Sequence, residues 1–476
     1  MSSSTTVVSP VTGEAISEYA EAGAEGVRSA VERARAATGA LRALTVWERA
    51  DLLQLTADAL AARSSDAVEE HIVEHGKTRA HAEAEIEIAI GGLRSIAESA
   101  RRTEGRITRA AASDVMVLTE REPLGVVGAI TPWNVPFMVP IEYAAPALAM
   151  GNAVVWKGAE SVPRTSAYVQ EAFERAGWPD GAITLLEGGP ITGAALARCT
   201  DLDALCFTGS SEVGIELASI GGMRRLILEL GGNGPTIVFA DADIERAAER
   251  IIAGMSFLSG QSCAATERVL VERSVHDVLL EALVERARSE RVGDPRDPNS
   301  TLGPIHLTET SEKIARQISG ALEGGAKVLI GGKNLPDAPT SQYWEPAVIS
   351  GVTPEMEVFA EETFGPVAPV TGFASEAEAL RLATIGGYGL SSAVFTADLD
   401  RAFRVSRALP ASYVVVNETS NYWEMHLPWG GGPGTRSGIG RLGGDHALGE
   451  LSTSKSTVVR LAPHHTSIDQ PEGGAA

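Results

Sequence analysis

The chain has 476 residues, 44% hydrophobic and 21% charged, with a formal net charge of −22. That length predicts two or three domains at roughly 150 residues each, with ample apolar material for their cores. The acidic balance argues against nucleic acid and anionic membrane surfaces as partners, since both need a basic face. No run of about 18 apolar residues reads as a membrane span, and the N-terminus MSSSTTVVSPVTGE lacks the basic and apolar regions of a signal peptide. Three cysteines form neither a disulfide framework nor a metal-ligand spacing, so a reducing cytoplasm is the expected location and no metal site is expected. His71 and His75 stand four apart without an HExxH order, and are expected on a helix surface.

From Glu25 to about Arg102, apolar residues recur at spacings of three and four in Ala-, Glu-, Arg- and Leu-rich segments, which predicts helices. SDVMVLTEREPLG then reads as an extended, hairpin-like arm. From Leu124 the texture changes to short β-branched runs, LGVVGAITPW, NAVVWKG, AITLLEG, ALCFTGS, RRLILELGG and GPTIVFADAD, separated by helical stretches. Wholly apolar strands alternating with helices indicate a parallel sheet covered on both faces. A second such series follows Cys263: RVLVER, AKVLIGG, PVAPVTGF, SSAVFTAD and ASYVVVNE. The expected fold is α/β: two doubly wound Rossmann-like domains and a small β arm. The cofactor domain is expected over 1–111 and 124–230, with 426–450 packing back on it, and the catalytic domain over 231–425. The arm is expected at 112–123 and 451–462, and the polar tail 463–476 to be disordered.

Five stretches can carry chemistry. SGQSCAATER sets Cys263 among small residues, with Gly260 allowing close backbone approach. Alone, an internal cysteine is most often a small buried hydrophobe; as a nucleophile it needs thiolate character from its surroundings. In ILELGGNGP a lone carboxylate, Glu229, follows an apolar run, and desolvation there suits a general base working near neutrality. In GAITPWNVPF, two prolines hold a loop that presents the Asn134 amide, a donor suited to a developing oxyanion. Lys157 and Glu160 close a buried strand, and FTGSSEVG is a Gly-Ser turn able to bring N–H groups to a pyrophosphate. EETFGPVAPV places Glu362 and Phe364 where they can hold a ribose and a ring.

Taken together, the order TPWN, KGAE, FTGS, ELGG, GQSC, EETFGP and PWGG…SGIGR resembles the NAD(P)-dependent aldehyde dehydrogenase superfamily, from about Val7 to Leu461. The resemblance implies Cys263 as the nucleophile, Asn134 with the Cys263 N–H as the oxyanion hole, and Glu229 as the base that activates water against a thioester. It also implies cofactor contacts from Thr131 and Trp133 in TPWN, Lys157 and Glu160 at the adenosine ribose, and Gly193 against the adenine. Gly209 and Ser210 would lie at the pyrophosphate, and Glu362 and Phe364 at the nicotinamide ribose and ring. Glu160 repels a 2′-phosphate, which favours NAD over NADP. The expected substrate is an aromatic or small functionalised aldehyde. The alternatives are a CoA-acylating dehydrogenase, against which Glu229 speaks, and a silent binding or structural member.

The chain departs from the family pattern in several places. Gly158 stands where proline is usual, and Leu258 where asparagine is. Tyr143 and Leu442 replace a Lys and a Glu of a proton relay, which puts that relay in doubt. Glu142 stands at an apolar channel position and is expected to make the entrance partly polar. About two extra residues near Gly432–Thr435, after NYWEMH, are expected at the substrate mouth; neutral loop drift is the competing reading. The exposed arm predicts a homodimer or homotetramer.

Overall fold

The computed structural model describes residues 4–461; the tail expected to be disordered lies outside the described residues. The N-terminal periodicity folds into four helices, Gly23–Ala43, Val46–Ala61, Ser64–His75 and Arg79–Arg101. Thr45 opens the second with a reciprocal capping box: its hydroxyl accepts the Glu48 N–H, and the Glu48 carboxylate accepts the Thr45 N–H at 2.7 Å.

The β-branched runs build a six-stranded sheet in the order Gly438–Ile439, Arg225–Glu229, Ala204–Thr208, Val126–Ile130, Ala153–Lys157, Ile183–Leu186. Only Gly438–Ile439 runs antiparallel to its neighbour. Every residue of Ala153–Lys157 is buried, because helices cover both faces of the sheet. Ile130 lies beside Lys157 and Phe207, and Thr208 beside Glu229, so four strands finish level. Thr131, Lys157, Gly209 and Glu229 therefore cluster at one edge, where open α/β sheets gather ligands.

A second, seven-stranded sheet has the order Lys327–Ile330, Ala347–Ser350, Val367–Phe373, Arg268–Glu272, Pro235–Val238, Ser391–Phe395, Tyr413–Val416. All its pairs are parallel except that of Lys327–Ile330. Alternate residues feed two cores: Ile237 and Leu270 belong to one face, Val238 and Val271 to the other. The protein is thus α/β with two doubly wound parallel sheets. The chain passes from the first to the second through Leu230–Gly234.

Two expectations need correction. The arm is a three-stranded antiparallel sheet of Ser452–Arg460, Val115–Pro123 and Arg106–Arg109. Arg106–Arg109, placed by the sequence reading in the cofactor domain, joins the arm because the turn after it folds it back on Val115–Pro123. His71 and His75 are not on a surface; they are 0% and 1% exposed. Their helix is covered by Arg79–Arg101 and Pro163–Arg175, so the face judged free in sequence is buried. His71 Nε2 lies 2.8 Å from Glu85 Oε2, and Lys77 completes the ion cluster.

Candidate active site

Cys263 sits between the short turn Phe257–Gly260 and the strand Arg268–Glu272. Before it, Leu258 (φ 52°) and Ser259 (φ 57°) take the left-handed conformation in succession. That conformation costs an ordinary side chain about 1–2 kcal/mol per residue and persists only where the surroundings hold it. Here Gln261 donates to the Leu258 carbonyl (3.0 Å) and accepts the His306 N–H (2.7 Å), while Ser259 Oγ donates to Gly303 O (3.0 Å). The small residues of the motif have a packing reason as well. A Cβ on Gly260 would lie 2.2 Å from the Gly365 carbonyl carbon, and one on Gly232 would lie 1.9 Å from the Cys263 oxygen.

Cys263 opens onto a cleft of about 410 Å³ shared by Asn134, Trp133, Gly209, Ser210, Glu362 and Phe364. The Asn134 amide donates one hydrogen to Gln261 O at 3.1 Å, which leaves its second N–H for an acceptor in the cleft. Its loop is stacked into place: the Trp133 ring lies 4.7 Å from the His306 ring and meets Phe364 edge-on at 5.6 Å. Ser210 caps the helix Ser211–Ile220, whose N-terminus faces the same cleft. Glu362 accepts the Gly232 N–H at 2.8 Å.

Glu229 is 1% exposed and stands just beyond the cleft wall, turned toward Gly430 and Arg441. Neither of its oxygens has a hydrogen-bond partner among the described residues. Burial, then the Glu142 carboxyl, push it well above the usual carboxylate range, with Arg441 opposing. Burial also raises the Cys263 thiol, helped by Glu362, Glu229 and Glu142; its own backbone N–H acts the other way. The thiol at rest is therefore protonated, and the strongest proton acceptors near it are carboxyls.

The remaining expected contacts lie further along the sheet edge. Thr131 Oγ1 accepts the Trp156 indole N–H at 2.8 Å, so that hydroxyl is engaged by the protein. Lys157 Nζ meets Glu160 Oε2 at 2.8 Å, beside a small hollow lined by Gly158, Glu160, Leu186 and Gly188. Gly193 lies in the first turn of the neighbouring helix Pro190–Arg198, with open space where a Cβ would stand.

The structure corrects two expectations about the mouth. Glu142 does not reach the entrance: it is 5% exposed and absent from the cleft wall, which Val139 and Trp429 form in front of it. The extra residues at Gly432–Thr435 do not line the cleft either. They clasp the second domain, with Gly432 N donating to Gly389 O (2.8 Å) and Arg436 N to Gly387 O (2.9 Å). Asn421, Tyr422 and Trp423, from NYWEMH, do line it. Sequence reasoning missed His306, and missed that Asn421 accepts from Ser262 Oγ (2.9 Å), tying that loop to the nucleophile. Tyr143 donates to Phe207 O or Thr208 Oγ1 rather than to a relay, and Leu442 is fully buried.

A model of the aldehyde dehydrogenase family matches residues 1–457. The chain belongs to the aldehyde dehydrogenase family. This aldehyde dehydrogenase is 37% identical to retinaldehyde dehydrogenase 3 of Rattus norvegicus over 460 residues, 95% of this chain and 89% of the relative. It is 35% identical to a solved succinate-semialdehyde dehydrogenase of Burkholderia pseudomallei, with a TM-score of 0.93 over 96% of this chain and 95% of that one. A Staphylococcus aureus betaine aldehyde dehydrogenase, solved with NAD+, aligns with a TM-score of 0.92 at 31% identity, over 98% of this chain and 93% of that chain. These relatives are named for three different aldehydes, retinaldehyde, succinate semialdehyde and betaine aldehyde, so family membership leaves the substrate of this enzyme open.

Proposed function

We propose that this enzyme oxidises an uncharged, apolar or aromatic aldehyde to its carboxylic acid with NAD. The observation that carries the substrate class is the cleft wall beyond Cys263, formed by Met138, Val139, Phe257, Trp423 and Trp429. Its charged members are already engaged or lie elsewhere. Glu85 is held by Lys77, His71 and the Phe137 N–H, and the charge of Lys313 acts on Glu362 and Glu267, on the cofactor side of the cleft. Asn421 is spent on Ser262 and Gly254. A second carboxylate or an ammonium on the substrate would be desolvated there without a partner.

The cofactor fits the sheet edge, where the hollow beside Glu160 and the open face of Gly193 leave room for an adenosine. Lys157 and Glu160 would hold its ribose, and the Glu160 carboxylate disfavours a 2′-phosphate. Thr131 and Trp133 would shape the path, Gly209 and Ser210 would meet the pyrophosphate at a helix N-terminus, and Glu362 and Phe364 would hold the nicotinamide end. Bound NAD supplies the hydride acceptor.

Cys263 loses its proton to Glu229, directly or through water, and its sulfur bonds to the aldehyde carbon. Asn134 Nδ2 and the Cys263 N–H donate to the oxyanion. When the hydride has left, the carbon stays on sulfur as a thioester. Glu229, once it has passed the Cys263 proton on to solvent, takes a proton from the attacking water; the sulfur departs as thiolate and the acid is released. Both proton transfers require Glu229 to turn from Gly430 toward Cys263. No hydrogen bond of its carboxylate opposes the turn. Because that carboxylate serves water, the acid rather than an acyl-CoA is the product.

The arm supports assembly as a homodimer or homotetramer: it leaves an open strand edge and exposes Ile107 (73%) and Val458 (66%). No helix of the described residues is long and apolar enough to cross a membrane. The test is NADH formation on a panel of aromatic, long-chain, carboxylated and cationic aldehydes, beside Cys263→Ala. The highest kcat/KM is expected for an uncharged aldehyde, with free acid as product and no turnover in the variant. A semialdehyde carboxylate as best substrate, or dependence on coenzyme A, would overturn the reading.

A further inference from the structure

The loop that carries Glu362 and Phe364 has to be held against the nucleophile, and one buried side chain does this. Glu267, four residues after Cys263, is 1% exposed. Its carboxylate accepts two successive backbone N–H groups of that loop, Thr363 N at 2.8 Å on Oε2 and Phe364 N at 3.0 Å on Oε1. Phe364 is a non-glycine residue at φ 60°, a conformation that relaxes unless something fixes it. The neighbouring arginine does not compete for the carboxylate. Arg268 spends its guanidinium on the carbonyls of Asn233, Leu382, Ala383 and Ile385.

We propose that Glu267 is a positioning residue that locks Phe364, and with it the nicotinamide end of the cofactor, to the strand and turn bearing Cys263. The inference rests on the reading of Phe364 as a cofactor contact. A hydroxyl at this place has no geometry to accept two diverging N–H groups; a two-oxygen carboxylate does. Gly260 packing backbone to backbone on Gly365 makes the same junction from the other side, so the two loops move as one piece. Losing Glu267 strands one buried and one partly buried N–H group and frees Phe364 to leave the left-handed region.

The test uses the full chain and the variants Glu267→Ala, Glu267→Gln and Phe364→Ala. Glu267→Ala is expected to raise KM for NAD about tenfold and to slow the first-turnover appearance of NADH by a similar factor, the effect expected of a displaced cofactor. Hydrolysis of p-nitrophenyl acetate without NAD, which needs Cys263 but no hydride transfer, is expected to stay within about twofold. Glu267→Gln keeps one accepting oxygen and is expected to recover part of the loss. If Glu267→Ala leaves KM for NAD and the first turnover unchanged in a folded protein, the proposal fails. It also fails if ester hydrolysis drops as far as dehydrogenation, since Glu267 would then only support the nucleophile. Should Glu267→Ala not fold, the Gln variant carries the same comparison. If Phe364→Ala leaves KM for NAD unchanged, the reading of Phe364 falls, whatever Glu267 does.

Discussion

Gly232→Ala tests the geometry beneath the nucleophile. A Cβ at this position would stand 1.9 Å from the Cys263 carbonyl oxygen, whereas real Cβ contacts stay at 3.0 Å or more, so one of the two segments must retreat by about 1.1 Å. The oxygen is backbone and cannot swing away as a side chain can. Because Glu362 accepts the Gly232 N–H, the shift reaches the cofactor side as well. A misplacement of about 1 Å in a reacting group costs on the order of a hundredfold in rate. That loss is expected in kcat/KM for aldehyde, read by NADH absorbance, with circular dichroism and the thermal midpoint showing a folded chain. Gly39→Ala is the control: it lies within a helix with nothing inside 4 Å of a new Cβ, and activity should not change. Its expected effect is a gain of about 0.5–1 kcal/mol in stability. If Gly232→Ala keeps activity within about threefold of the parent, the turn is not the platform of Cys263.

Glu229→Gln should slow the first-turnover appearance of NADH, because Glu229 takes the Cys263 proton. Its steady state should then fall by about 10²–10⁴, and a linear trace at the parent rate would remove Glu229 from hydrolysis. Glu160→Ser is expected to raise kcat/KM for NADP about tenfold, or roughly 1.4 kcal/mol, and an unchanged NAD/NADP ratio would refute the role given to its charge. His306 is 5% exposed and burial holds its pKa down at about 3, below the ordinary 6.5. The unfolded chain binds a proton below pH 6.5 that the folded chain refuses until about pH 3, so the stability present at neutral pH is lost as pH falls through that window. His306→Gln should flatten the pH dependence of urea unfolding there by about 1.4 kcal/mol per pH unit; identical slopes would contradict it.

Much of this was legible in the chain, for identifiable reasons. Strands such as Ala153–Lys157 announce themselves because burial on both faces demands unbroken apolar residues. Cys263, Asn134 and the glycine turns stand out because close backbone approach leaves few residue choices. Their convergence on one cleft follows from strands finishing level, which no local pattern encodes. The burial of His71 and His75 was invisible, because one of the two covering helices, Pro163–Arg175, comes from far along the chain and the other, Arg79–Arg101, folds back on them through a turn that no local pattern fixes. Arg106–Arg109 is short and wholly exposed, and its one apolar residue, Ile107, sets up no alternation that marks a strand; pairing with Val115–Pro123 makes it one. The places of Glu142 and of Gly432–Thr435 depend on packing against Trp429 and Gly387–Gly389, which a linear reading does not foresee.

The two left-handed residues before the nucleophile bear on how this enzyme can be made hardier. Leu258 and Ser259 hold conformations that an unconstrained chain leaves, so the turn carrying Cys263 is a local deficit in folding free energy kept for the sake of aim. A search guided by thermal tolerance alone will be drawn to relax it, and will find sturdier proteins that no longer point the sulfur correctly. Robustness should be sought instead at helical positions with room to spare, such as Gly320, where an added methyl meets nothing within 4 Å. The same map tells a designer which glycines to spend and which to leave alone.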